Sequence, residues 1–587
     1  MKHTKCYKKG YPRPQLVRKS WDSLNGLWDF RFDPKNIGER EGWQKGFDSG
    51  DKINVPFAYE APLSGIGKAD MVPNVWYCKR IKLGKAQLTP VIKLIFEGSD
   101  YITKVYVNGS YVGLNEGAYH RFSFDIAPYA AAGENVIVVK AEDSYACDRP
   151  RGKQRWQDGV YACWYVQTTG IYKSVWMEYL DTYHLESLRM TPSLKDDSVG
   201  FYLSPAAPSD ELSAEIKIEF GGRLVKTTSC SLNEYENYVR VDIGSAAVDE
   251  HTAYWSPARP CLYDVEITLS HRGVPCDGVA SYFGMREIGV QGDKVVLNRA
   301  PVVQALLLDQ GHWEDGHLTP PDEAALQKDI ELMKSAGFNG ARKHQKIEDE
   351  RFLYYADILG FFVWCEMPSM FRFSERSSAR FIEQWQKIVR QNANHPSVVC
   401  WVPFNESWGV RMIETNERQQ SLANAAYYVA KALDGTRPVV SNDGWEHTTS
   451  DIVTIHHYTQ KADELYDYYK DPETLEKGHP KNGQKKPFAK GYGYRGEPVM
   501  ISEFGGAAFN AETDKGWGYG RGVDNAAELV ERVRGMITAV GAIGSGAGFC
   551  YTQFTDVQQE INGLFTANRQ PKADIKELRQ AVKSYLE

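Results

Sequence analysis

The rhythm of hydrophobic and polar positions changes once along this chain, near Gly284. Before it, apolar residues alternate with polar ones over short stretches, the period of a strand with one buried face. Leu27–Phe32, Val91–Phe96, Lys104–Val107, Val136–Lys140 and Ser174–Glu178 read this way. Asn108-Gly109 follows the third of these directly, a strong two-residue hairpin signal, and Ser110–Gly113 resumes the strand. Helical periodicity is nearly absent, so residues 1–182 are predicted to form a jelly-roll β-sandwich. Residues 183–286 continue with shorter, more polar strands such as Ala214–Ile218 and Tyr263–Ile267. Their number and length predict an immunoglobulin-like β-sandwich, on architecture alone, because no Cys…Trp…Cys framework is present.

From residue 287 to 587, apolar strands alternate with helices of period 3.6. The strands are predicted at Val302–Leu308, Phe338–Arg342, Phe361–Cys365, Val398–Val402, Val439–Ser441, Ile452–Ile455, Val499–Ser502 and Gly548–Thr552. Helices are predicted at Asp322–Ala336, stopped by Gly337, at Asp349–Leu359, stopped by Gly360, and at Ala379–Asn392. Eight strand–helix units in about 300 residues are the count and length of a (β/α)₈ TIM barrel, whose chemistry sits at the C-terminal ends of its strands. The fold class expected is therefore multidomain, with two β-sandwiches preceding a catalytic barrel.

The strand ends are where the apolar runs turn polar. The first leads to Asp309, the second to Arg342 and His344, the third to Glu366, and the fourth to Asn405-Glu406-Ser407. The fifth leads to Asn442-Asp443, the sixth to His456-His457-Tyr458, the seventh to Glu503, and the eighth to Gln553 and Asp556. Glu406 and Glu503 each close a strand buried on both faces, so both would face one pocket. A pair of carboxylates is the basic equipment of glycosidic-bond hydrolysis.

Length and composition narrow this further. At 587 residues the chain exceeds one core. Its net charge of −7 is spread out, without the basic block that nucleic acid binding uses. No apolar run of 18 residues exists to cross a membrane, and Met1–Cys6 is not followed by the apolar segment of a signal peptide. The ten cysteines show no CxxC pair, and Cys365 and Cys400 fall in predicted buried strands, which favours free thiols and a cytoplasmic setting. Fifteen tryptophans and 34 tyrosines supply large cores and rings suited to stacking on sugar faces.

The motifs at the strand ends resemble those of glycoside hydrolase family 2, the family of β-galactosidases, β-glucuronidases and β-mannosidases. Asn394-His395-Pro396-Ser397-Val398, then Trp401 and Asn405-Glu406-Ser407, is similar to its acid/base signature. Ile501-Ser502-Glu503-Phe504-Gly505 is similar to its nucleophile signature. Leu24–Trp28, Asp148–Gln154 and Thr168–Tyr172 resemble its sugar-binding jelly roll, Trp255–Pro257 with Leu262-Tyr263 the end of its immunoglobulin-like domain, and Phe283–Arg286 the start of its barrel. The resemblance implies a double-displacement mechanism with retention. Glu406 would be the general acid and base, and Glu503 the nucleophile. Asn405 would bond the sugar 2-hydroxyl, Tyr458 would orient Glu503, and Arg342 would hold its charge. His344, Asp309, Glu366, Asn442, His457, Trp517 and Gln553 complete the expected substrate-binding set.

Three departures shape the expectation of substrate. Arg342-Lys343-His344-Gln345-Lys346 replaces the family's Arg-x-Ser-His-Tyr-Pro after strand two. Glu366–Met370 lacks a second oxygen or imidazole ligand, so neither metal nor other cofactor is expected. Glu560-Ile561-Asn562 stands where β-glucuronidases carry an Asn-x-Lys pair that reads the sugar carboxylate, and an acidic Glu560 there would repel a uronate. The leading expectation is an exo-β-galactosidase acting on a glycoside or oligosaccharide, with homo-oligomer formation left open and neither nucleic acid nor membrane as partner. The alternatives are the same fold acting on another sugar (a uronide, mannoside or arabinopyranoside) and a non-catalytic carbohydrate-binding protein.

Overall fold

The computed structural model describes residues 4–244, 252–471, 474, 485–512, 514–544 and 546–585. The first sandwich pairs a four-stranded sheet, which holds Val91–Phe96 and Val175–Leu180, with a six-stranded one centred on Asn74–Leu83 and Gly133–Glu142. The expected hairpin joins Ile102–Val107 to Ser110–Glu116. Asn108 and Gly109 have φ of 50° and 82°, the two positive values that a twisted two-residue turn demands. Trp28, Phe30, Tyr77, Phe96 and Val139 are among the alternating residues that meet between the sheets. The second sandwich packs the sheet of Leu185–Ser193, Ser198–Pro205 and Asn237–Asp242 on a four-stranded sheet centred on Leu212–Phe220 and Tyr263–His271.

Among the described residues the barrel has seven parallel strands: β1 (Gln304–Asp309), β2 (Gly340–Lys343), β3 (Phe362–Glu366), β4 (Val398–Val402), β5 (Val453–His456), β6 (Val499–Glu503) and β7 (Gly548–Tyr551). Their order is β4-β3-β2-β1-β7-β6-β5. Alternation sorts the side chains: Leu306, Leu308, Trp364, Val402 and Cys550 fill the barrel, while Ala305, Leu307, Val363 and Trp401 face the helices. Several helices start at side-chain caps. Asp322 accepts from Ala325 N and Asp349 from Arg351 N. The helix expected from Ala379 begins earlier, at Glu375, because Ser374 and Ser377 cap it reciprocally.

Two expectations are corrected. Val439–Ser441 is not a laddered strand; Val439 makes only an isolated bridge to Trp401. Pro438 brings no N–H to that edge, and Ser441 N donates to the Ser450 hydroxyl instead of a neighbouring carbonyl. The barrel also does not follow residue 286 directly. A small sheet (Ile288–Gln291, Lys294–Leu297, Ala300–Pro301) comes first, and Ile288, Val295 and Leu297 join the apolar filling of the barrel.

The first sandwich is fastened to the barrel. Lys173 Nζ donates to the carbonyls of Ile347 (2.8 Å) and Glu348 (3.1 Å). Arg151 N and Gly152 N both donate to Ser369 O, in the loop after β3. A Cβ on Gly152 would stand 2.3 Å from Gln345 O, so only glycine permits this approach. These contacts carry the segment after Arg151 to the mouth of the barrel.

Candidate active site

Glu406 and Glu503 meet at the C-terminal end of the barrel, with His456 between them. Donor atoms of the three residues all lie within 4.8 Å of one another, a set that could also hold a metal ion. His456 Nδ1 is 2.9 Å from Glu406 Oε1 and 3.5 Å from Glu503 Oε2. Arg342, fully buried, donates to Glu503 Oε1 and pairs with Asp443. The Tyr458 hydroxyl donates to Glu503 Oε2 at 2.5 Å.

These contacts decide the ionisation of Glu503. Burial alone would raise its pKa, but the His456 ring and the Arg342 guanidinium outweigh burial and bring it to about 2. The Tyr458 phenol is pushed well up by burial and by the Glu503 charge, so it keeps the proton it donates. Glu503 is thus held as a carboxylate at neutral pH. Glu406 is more open, with 20% of its side chain exposed against 5% for Glu503.

The backbone at Glu406 is strained to make this possible. Glu406 and Ser407 have φ of 52° and 58°, left-handed values that cost non-glycine residues about 1–3 kcal/mol each. The strain is held by neighbours. Glu406 N donates to Asp443 O at 2.8 Å, Ser407 N to Asn442 Oδ1 at 2.9 Å, and the Ser407 hydroxyl to Glu446. The motif Asn442-Asp443 therefore serves as the clamp of the Asn405-Glu406-Ser407 turn. Beyond Glu503, Gly505 adopts φ 86°, and a Cβ there would meet the Tyr551 ring at 2.3 Å.

The other expected residues divide into three groups. Asn405 stands beside Arg342 (3.4 Å), and its buried Nδ2 has no hydrogen-bond partner among the described residues. His344 and Glu366 back Arg342: His344 Nδ1 is 3.1 Å from Glu366, and Arg342 is 3.4 Å from it. Asn442, Asp309, Gln553, His457 and Trp517 are occupied elsewhere. Asn442 spends its amide on Ser407 and Trp445 O. Asp309 pairs with Lys343 (2.6 Å) and Gly311 N (2.8 Å). Gln553 lies between Gln310 and Asn562.

His457 is corrected to His456. The ring of His457 bonds Tyr469 (2.8 Å) behind the strand, and His456 points at the carboxylates. Strand parity carries the signal, because residues 456 and 458 share a face and Tyr458 meets Glu503. Trp517 lies at the rim, where its indole N–H donates to Ala162 O at 2.8 Å and its ring is 5.2 Å from Tyr519. Tyr519 in turn stacks on Tyr458 at 3.4 Å.

Lys153 and Tyr165 were missed because no local pattern links the first sandwich to Glu560. The Tyr165 hydroxyl donates to buried Glu560, and Lys153 Nζ lies 3.5 Å from the same oxygen. Burial works against the Lys153 charge, but Glu560, Glu503 and Glu406 raise its pKa. Three other cations of the barrel are paired with acids of their own. Lys343 and Lys346 pair with Glu348, and Arg569 with Asp329.

Comparison with known proteins bears on the family and the fold. Residues 21–180 match the model for the sugar binding domain of glycosyl hydrolases family 2, residues 183–286 a second model of that family, and residues 311–585 its TIM barrel domain. A β-galactosidase of Photobacterium profundum is 26% identical over 477 residues, covering 73% of this chain and 43% of the relative. A putative β-glucuronidase of Formosa agariphila is 22% identical, covering 73% and 51%. The chain thus spans about half the length of these curated relatives. Among solved structures, the β-glucuronidase of Ruminococcus gnavus in complex with D-glucuronic acid superposes with a TM-score of 0.78 at 18% identity, covering 99% of this chain and 100% of that one. A family 2 β-galacturonidase from Eisenbergiella tayi, bound to glycerol, gives 0.74 at 20% identity, covering 98% of each. At such identities the likeness is one of fold.

Proposed function

The chain belongs to glycoside hydrolase family 2, and from that premise we propose that it is a retaining exo-β-glycosidase acting on terminal β-linked sugars. The observation that carries this is the approach of the Glu406 and Glu503 carboxylates to within 4.8 Å. Retaining enzymes hold their two carboxyls about 5–5.5 Å apart, and inverting ones leave room for a water between them. Glu503, ionised and gripped by Arg342 and Tyr458, attacks the anomeric carbon. The bond to the leaving oxygen breaks as Glu406 delivers its proton there, and a glycosyl ester forms on Glu503. A water then gives its proton to Glu406 and attacks the same carbon. The ester bond breaks, Glu503 recovers its carboxylate, and the sugar departs with its configuration retained.

A β-galactoside is the preferred substrate in this reading, because Glu560 presents a carboxylate at the sugar's far side. A uronide is the second reading, and Lys153 favours it, since its buried ammonium stands at the same place. All ten cysteines are free, which supports a reducing, cytoplasmic setting. Among the described residues no helix is long and apolar enough to cross a membrane. The test is a screen of 4-nitrophenyl β-glycosides with purified protein. Turnover of the β-galactoside above the glucuronide, mannoside and α-L-arabinopyranoside supports the first reading. Turnover of none of them overturns the assignment as a glycosidase.

A further inference from the structure

Five aromatic rings cluster against the turn that carries Glu406, and the mechanism above uses none of them. Trp408 follows Glu406 by two residues, and its N–H donates to Asn405 O at 2.9 Å. Its ring centroid is 5.5 Å from Phe371, in the loop after β3, and 5.8 Å from Trp164 of the first sandwich. Trp156 lies 4.7 Å from Trp164 and 4.3 Å from Phe371, and Tyr161 lies 5.1 Å from Trp164. All five rings are only half-buried, although such rings gain most when covered.

The side on which they gather is the informative point. Glu406 must reach the glycosidic oxygen to protonate it, so the group attached to that oxygen departs past Glu406. Trp408 shares the turn that carries Glu406, two residues on, and its ring is 6.3 Å from the His344 ring. Trp164 and Tyr165 are adjacent in sequence and point to different places: Tyr165 to Glu560, Trp164 to Trp408. One segment of the first sandwich therefore touches both the sugar side and the leaving-group side of the pocket.

We propose that Trp408, Phe371 and Trp164, backed by Trp156 and Tyr161, form a binding site for the aglycone, and that it takes a flat aromatic group. This rests on the glycosidase reading and deepens it. A planar ring meets these faces in offset or edge-to-face contact, and each such pair adds binding beyond the area it covers. The site is built from two domains, so the first sandwich takes part in choosing the leaving group.

The test uses non-hydrolysable thioglycosides of whichever sugar the wild-type protein turns over, measured as competitive inhibitors of the full-length chain. A 2-phenylethyl β-thioglycoside is expected to bind about tenfold tighter than the methyl β-thioglycoside. In Trp164→Ala and Phe371→Ala that ratio is expected to fall to within twofold, and Trp164→Phe, which keeps a ring, is expected to retain most of it. A ratio near one in the wild type overturns the proposal, as does a ratio that survives both alanine variants. A thio-linked disaccharide that binds as tightly as the phenylethyl compound also overturns it, because the platform then serves a sugar. Failure of every glycoside to be hydrolysed or bound is a different result and removes the glycosidase reading itself.

Discussion

His456 Nδ1 lies 2.9 Å from Glu406 Oε1. The same nitrogen is 3.5 Å from Glu503, and Nε2 is 3.4 Å from Asp443, so one ring ties the two carboxylates to the clamp beneath them. His456→Phe is expected to lower kcat about 10²-fold, the scale of a displaced catalytic group, with a smaller change in KM. His456→Gln, which still offers a donor, is expected to lose less. Equal loss in both variants, or loss confined to KM, would remove His456 as a positioning residue.

The two glutamates should separate by leaving group. Glu503→Gln removes the nucleophile and is expected to lower turnover by several orders of magnitude on every substrate. Glu406→Gln removes the proton donor, worth about 10²–10⁴-fold, and should fall far less on 4-nitrophenyl than on alkyl glycosides. Paired kcat/KM values on the two substrate types decide it. Near-normal rates on an alkyl glycoside in both variants would break the assignment.

Much of this site was legible in sequence because the barrel writes it locally. An apolar run closed by Asn405-Glu406 or by Glu503 states both the strand and its functional end. The same rule put Arg342 and Tyr458 at strand ends, and the family resemblance implied their contacts with Glu503. What was not legible depends on direction or distance. His456 and His457 are neighbours that only strand parity tells apart. Asn442 closes an expected strand that does not form a ladder, and its side chain serves the backbone of Ser407. Lys153 and Glu560 meet only because Gly152 lets one sandwich loop lie against the barrel. The missing fifth ladder was hidden too, since Pro438 and the Ser450 hydroxyl act through hydrogen bonds that an apolar triplet does not announce.

His395 gives a pH-dependent contribution to stability. It is fully buried, with Nδ1 2.6 Å from Asp357 and Nε2 3.6 Å from Glu350. Burial opposes its charge, but the two carboxylates win and raise its pKa from 6.5 to about 9. A raised pKa stabilises the fold fully below pH 6.5 and loses that contribution as pH rises through 9. The shift corresponds to at most about 3 kcal/mol. His395→Gln should therefore melt well below the wild type at pH 6, and the gap should narrow toward pH 9.5. A gap in melting temperature that stays constant over that range would show that the charge on His395 does not matter.

The last prediction concerns which sugar fits. Glu560 is buried and Lys153 largely so, 3.5 Å apart, so each largely cancels the other's field at the far side of the pocket. With the pair intact, the balance is expected to favour the neutral galactoside, because Tyr165 and Asn562 fix the Glu560 carboxylate while Lys153 stands farther off. Glu560→Gln leaves the ammonium uncompensated. It should raise kcat/KM for 4-nitrophenyl β-glucuronide relative to the β-galactoside by about tenfold, near 1.4 kcal/mol. Lys153→Met leaves the carboxylate uncompensated and should move the ratio the other way, since like charges brought together at a binding surface cost several kcal/mol. The opposite signs are the test, because simple damage to the pocket would lower both substrates together. If the wild type already prefers the glucuronide tenfold or more, and Lys153→Met abolishes that preference, then Lys153 reads the sugar carboxylate and Glu560 serves to hold it in place.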